Sequence, residues 1–175
     1  MKIIAFGAST CTTSINQKLA QFAAKQFDGD IEILDLRDYQ FPLYSVDVEN
    51  EIGLPEKATE LLHKFQTADL IIISLAEHNG AYTAAFKNTF DWVTRVNMKC
   101  FAGKKLFLLA TSPGARGGQS VLDIAAARFP FHGGEVITTF SLPAFNDNFS
   151  ETEGITNAKL AKEFAVEVEK VKAVL

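Results

Sequence analysis

The chain has 175 residues and a formal net charge of −4, with 47% hydrophobic and 22% charged residues. That balance describes one domain over residues 1–175, large enough to bury a core without disulfides or a metal. It excludes a duplex nucleic-acid binder, which would carry a basic face, and Cys11 and Cys100 form neither a CxxC pair nor a zinc spacing, so no metal site and a reducing, cytoplasmic setting are expected.

The first apolar run, Ile3–Phe6, is too short for a signal-peptide core or a membrane span and reads as a buried strand; no membrane association is expected. It leads into GASTCTTSIN, residues 7–16, which holds five hydroxyl residues, Cys11 and no Lys or Arg. Ser14 is placed to cap a helix whose apolar face is Ile15, Leu19, Phe22, Ala23 and Phe27. A second strand, Ile31–Leu36, precedes an irregular stretch at about Arg37–Gly53. Pro55 sits at the first position of a helix whose apolar face is Leu54, Ala58, Leu61, Leu62 and Phe65. The third run, Leu70–Leu75, stops at Glu77-His78-Asn79-Gly80, where Asn-Gly asks for a turn with positive φ. Tyr82, Phe86, Phe90 and Val93 mark the next helical face, beside a polar stripe of Lys87, Asn88 and Asp91. Leu106–Ala110 follows, then TSPGARGGQS at 111–120 and a helix with Val121, Leu122, Ala125 and Phe129. Val136–Phe140, a second irregular stretch at Leu142–Gly154, and a helix with Leu160, Phe164, Val168, Val171 and Leu175 complete the chain. Most of the fifteen phenylalanines are expected in the core.

Strands covered on both faces and alternating with amphipathic helices predict an α/β, three-layer, flavodoxin-like sandwich. Its five parallel strands are expected in the order 2-1-3-4-5, with right-handed crossovers. Ligands of such sheets bind beyond the carboxyl ends of the strands, where the loops after the first, third and fourth strands converge. Backbone N–H groups and the helix N-terminus at GASTCTTSIN suit a phosphate without a formal cation. Ser9, Thr10 and Ser14 add hydroxyl donors, and Asn16 would brace the loop. Gly80 and the glycines of the third loop suit close approach by a flat ring. Arg116 is the only cation in the three loops and would meet a phosphate of a second, diffusible ligand. A flat heterocycle with a phosphate tail fits this set, and flavin mononucleotide (FMN) is such a molecule. GxxxxGK[ST], GxGxxG and GxSxG are all absent. Asp35, at the end of the second strand, is read as a solvated loop residue in preference to a ribose ligand.

At these residues the chain resembles the NADPH-dependent FMN reductase family. Ser9, Ser14 and Asn16 fall on the family's first-loop pattern, roughly G-S-x-R-x-x-S-x-N. Ala76-Glu77-His78-Asn79-Gly80 followed by Lys87-Asn88-Thr89-Phe90-Asp91-Trp92 matches its P-E-Y-N segment with the Lys-Asn…Asp-Trp tail. Ser112-Pro113-Gly114-Ala115-Arg116-Gly117-Gly118 resembles its third loop, and Asp35–Tyr44 resembles a segment that serves subunit contact. Cys11, Ala76 and His78 stand where the family usually has Arg, Pro and Tyr. The resemblance implies an FMN site built from Ser9, Cys11, Ser14, Ile15 and Asn16; Ala76, Glu77, His78, Asn79 and Gly80; and Ser112, Pro113, Gly114, Gly117 and Gly118. His78 and Arg116 would face the substrate or NAD(P)H, with NADPH or NADH as diffusible reductant. The chemistry would reside on flavin N5, with no catalytic side chain. The acceptor would be a quinone, an azo compound, a metal oxyanion or free flavin, and the assembly a homodimer or homotetramer. The alternative is a flavodoxin-like FMN electron carrier with little NAD(P)H activity.

Overall fold

The computed structural model describes residues 1–175. Its central sheet is wholly parallel and consists of β1 (Lys2–Ala8), β2 (Asp30–Ile33), β3 (Leu70–Leu75), β6 (Lys105–Thr111) and β7 (Glu135–Leu142), in the order β2-β1-β3-β6-β7. Counted along the five strands alone, this is the expected 2-1-3-4-5. Two small antiparallel hairpins lie outside it: β4 (Glu77–His78) with β5 (Ala81–Tyr82), and β8 (Phe149–Ser150) with β9 (Gly154–Ile155).

The helices are α1 (Ile15–Ala24), α2 (Val46–Ile52), α3 (Glu56–Thr67), α4 (Ala84–Val96), α5 (Gln119–Arg128), α6 (Phe145–Asn148) and α7 (Ala158–Lys172). Successive side chains of a strand point to opposite faces, and the apolar runs divide accordingly. Ile4, Phe6, Ile71, Ile73, Leu106 and Leu108 pack with Leu61, Phe65, Phe90, Trp92 and Val121 on one face. Ile3, Ala5, Leu70, Ile72, Phe107 and Leu109 pack with Leu19, Phe164 and Val168 on the other. Eleven of the phenylalanines are buried, and Phe131 is the one that stands exposed. No helix is long and apolar enough to cross a membrane.

The boundaries depart from the sequence reading at several places; among them, Phe27, Leu54, Phe129 and Leu175 lie outside the helices they were read on. β2 ends at Ile33, not Leu36, because the Asp35 carboxylate accepts from Arg37 N and opens a 3-10 turn at Leu36–Tyr39. Asp35 is thus a turn cap paired with the Arg37 guanidinium, which holds its carboxyl below the usual range; it is not simply solvated. Pro55 occupies the cap position and Glu56 begins α3. Tyr82 belongs to β5, ahead of α4, whose cap is Thr83. The two irregular stretches contain α2, α6 and the β8–β9 hairpin. The polar stripe on α4 also divides. Lys87 pairs with Asp91, whereas Asn88 accepts from Tyr44 N and donates to the carbonyls of Phe41 and Pro42. Trp92 Nε1 donates to Pro42 O at 2.8 Å, so the Asn-x-x-x-Trp spacing straps the segment after β2 onto α4.

Candidate functional site

Ala8 of β1 is in register with Leu75 of β3, and Leu75 with Ala110 of β6. The three loops therefore leave the sheet side by side. Together they enclose a cleft of about 240 Å³, lined by Ser9, Cys11, Thr13, Ser14, Ile15, Asn16, Ala76, Glu77, His78, Thr111, Ser112 and Pro113. Ten of the residues singled out in the sequence meet there. Thr13 and Thr111 join them without having been singled out.

The first loop is shaped from below by Gly7. A Cβ at this position would lie 2.4 Å from Gln17 N, so α1 starts against the bare backbone of β1. Gly7 N donates to Gln17 Oε1 at 2.6 Å, and Gln17 Nε2 donates to Leu34 O. Ser14 caps α1 by accepting from Gln17 N, and Ser9 Oγ accepts from Cys11 N at 3.2 Å. The backbone N–H groups of Ile15 and Asn16 have no acceptor in the protein and belong to residues of the cleft wall, while that of Thr13 is directed at the Cys11 thiol. Two free amides at a helix N-terminus form an anion cradle without formal charge.

Asn16 spends its side chain inside the protein. Its Oδ1 accepts from Ser74 Oγ at 2.8 Å and from Thr111 N at 3.1 Å, and its Nδ2 donates to Thr111 O at 3.1 Å. This buried bracket ties the first loop to β3 and β6. Its partners had a sequence signal, because Ser74 interrupts the apolar run Leu70–Leu75 and a buried hydroxyl needs a partner. Thr111 Oγ1 donates in turn to Leu142 O at 2.6 Å.

In the second loop Asn79 (φ 53°) and Gly80 (φ 76°) form the expected positive-φ turn at the tip of the β4–β5 hairpin, with His78 exposed beside it. The Glu77 carboxylate crosses to the third loop and accepts from Val121 N at 2.9 Å, in the first turn of α5. In the third loop Ser112 and Pro113 reach the cleft, while Gly114, Gly117, Gly118 and Arg116 lie outside its wall, as do Asn79 and Gly80. Gly117 answers to packing: a Cβ there would sit 2.4 Å from Ser141 Oγ and 2.8 Å from Pro143 N. Arg116 is exposed and donates to Ser120 Oγ at 3.0 Å.

Cys11 is exposed, with its Sγ 3.5 Å from Thr13 Oγ1. The Thr13 hydroxyl and backbone lower its pKa, aided by the Arg37 charge. Burial pushes the Cys100 thiol up to about 12. Thiolate fraction and access govern alkylation, so iodoacetamide at neutral pH should label one thiol per native chain, at Cys11. Peptide mass mapping checks this; equal labelling of Cys100 would contradict the burial described.

The chain is 32% identical over 154 residues to the Mycoplasma pneumoniae protein described as "Uncharacterized protein MG342 homolog", covering 83% of this chain and 89% of that one. It is 28% identical over 119 residues to the quinone reductase of Escherichia coli K12, covering 67% of this chain and 63% of that enzyme. The structure of FerB, a flavoenzyme NAD(P)H:(acceptor) oxidoreductase from Paracoccus denitrificans, superposes with a TM-score of 0.74 at 22% identity, over 98% of this chain and 97% of that one. At that identity the likeness shows the fold alone. The family model for NADPH-dependent FMN reductase matches residues 1–147, a span that contains all three loops of the cleft. The chain belongs to the NADPH-dependent FMN reductase family.

Proposed function

We propose that the cleft binds FMN, and that the chain, acting as a single FMN-binding domain, takes hydride from NAD(P)H and reduces a small acceptor: a quinone, an azo compound, a metal oxyanion or free flavin. The observation that carries this is the pair of free amides of Ile15 and Asn16 at the N-terminus of α1 on the cleft wall, which fits a phosphate dianion. Thr13 and Ser14 add hydroxyls, and the Asn16 bracket holds the cradle against β3 and β6. Ala76, Glu77 and His78 on one side and Ser112 and Pro113 on the other would hold the flat ring. FMN supplies the hydride chemistry when bound; the protein binds it, orients it and excludes water from one of its faces. No side chain is assigned an acid or base role. The family match and the names of the relatives, among them a quinone reductase and an azoreductase, support the reaction class.

Arg116 pairs with no carboxylate, in contrast to Arg37, Lys87 and Lys18. It would meet the 2′-phosphate that distinguishes NADPH from NADH. Anaerobic bleaching of the bound flavin, followed with each nucleotide, tests both ideas. Fast bleaching is expected, and slow bleaching with both nucleotides would favour the electron-carrier reading. Arg116→Ala should slow bleaching by NADPH about tenfold, the size of one charge-assisted hydrogen bond, and leave bleaching by NADH as it was. Equal losses with both nucleotides would remove Arg116 from 2′-phosphate recognition.

The same reading includes assembly as a homodimer or homotetramer. It is supported by Leu43, Val46, Ile52 and Leu54, which stand exposed on the segment strapped to α4. Light scattering at the mass of one chain would contradict it.

A further inference from the structure

The cleft wall carries one acidic residue, Glu77, and no Lys or Arg. That is unusual for a site assigned to a phosphorylated cofactor, since the single carboxylate repels the ligand it faces. Glu77 is fixed by structure. It pairs with Tyr82 across the β4–β5 hairpin, and its Oε2 accepts from Val121 N at 2.9 Å. Helix α5 has Gly118 at its cap position, in the left-handed conformation and without a side chain to offer. Glu77 therefore caps α5 from another loop and locks the two ring-flanking loops at one spacing. The α5 N-terminus offsets part of the carboxylate's charge, since a helix end carries about half an elementary charge.

We propose that Glu77 is a positioning residue that fixes the second loop to α5 and, as the only carboxylate of the cleft, lowers the reduction potential of bound FMN. The inference rests on the FMN reading above. A flavin ring gains electron density on reduction, and a fixed negative charge on the same cleft wall opposes that gain. A lower potential makes the reduced cofactor a stronger donor to the acceptor. The cap and the charge separate by substitution. Glu77→Gln keeps an oxygen for Val121 N and loses the charge. Glu77→Asp keeps the charge, but its shorter side chain gives up the cap.

The test is equilibrium reduction of the FMN-loaded protein against a reference dye, with the melting temperature of each variant measured alongside. Glu77→Gln should favour the reduced flavin about tenfold, a shift of about 30 mV to more positive potential for a two-electron couple, and should retain FMN at least as tightly. Glu77→Asp should keep the wild-type potential while its melting temperature falls. An unmoved or more negative potential in a flavin-loaded Glu77→Gln protein overturns the inference alone. If Glu77→Gln does not fold, a positive shift in Glu77→Asp overturns it equally, because the charge is still present. Failure of the wild-type protein to retain FMN removes the underlying reading, and the inference with it.

Discussion

Asn16→Ala should destabilise the protein by about 3 kcal/mol and lower its FMN affinity by more than tenfold. The residue is buried and its amide serves three partners at once: Ser74 Oγ, Thr111 N and Thr111 O. Alanine leaves these groups without partners in a site closed to water, and each buried orphan costs about 1–3 kcal/mol. Some relaxation toward the cleft reduces the sum to its lower end. For a chain of this size that is a fall of about 10 °C in melting temperature. The loss of affinity follows from a different link. The bracket holds the first turn of α1 against β3 and β6, and the amides of Ile15 and Asn16 belong to that turn. Chemical denaturation and flavin titration read the two effects separately. A variant with wild-type stability would show that the bracket is dispensable.

The second large effect is expected at Gly7. Its added Cβ in Gly7→Ala would meet Gln17 N at 2.4 Å, Gln17 Cα at 2.7 Å and Asn16 C at 2.8 Å, all backbone atoms that cannot rotate away. The first turn of α1 must move off β1, at a cost of about 1–3 kcal/mol for overpacking. That movement displaces the phosphate cradle, because Gly7 N also holds Gln17 Oε1. Melting temperature and FMN affinity should fall together. Gly114→Ala supplies the stability control: its Cβ would have only Ser112 Oγ nearby, at 3.8 Å, and its backbone is not in the left-handed region. A Gly7→Ala protein that melts with the Gly114→Ala control would contradict the close contact of α1 with β1.

The sheet order and the three converging loops were legible because runs such as Leu70–Leu75 and Leu106–Ala110 are buried on both faces and cannot be read as amphipathic helix. Short elements were not legible. Helix α2, Val-Asp-Val-Glu-Asn-Glu-Ile, buries none of its residues and so carries no apolar stripe. It is held by pairing instead: Glu49 joins Arg95 and accepts from Tyr44 Oη. The end of β2 was missed because Leu34 and Leu36 remain buried after the strand gives way to a turn. Residue type alone gave Asn88 and Trp92 a place on α4 but no partner, since the groups they hold lie 44 to 50 residues earlier.

Within the site the first loop was the most readable part. Its hydroxyls, its missing cations and the cap at Ser14 all belong to one short stretch. The third loop was less so. Gly117 looked suited to close approach by a ligand, yet the atoms that approach it are Ser141 Oγ and Pro143 N of the same chain. Glu77 carried no local sign that its partner would be Val121 N, across the cleft.

Whether this cleft holds FMN is decided by titration of the flavin-free protein with FMN, followed by quenching of flavin fluorescence. Saturable binding of one FMN per chain is expected, weakened more than tenfold in Asn16→Ala. No quenching by the folded wild-type protein, or binding that Asn16→Ala leaves unchanged, would contradict the assignment of this cleft.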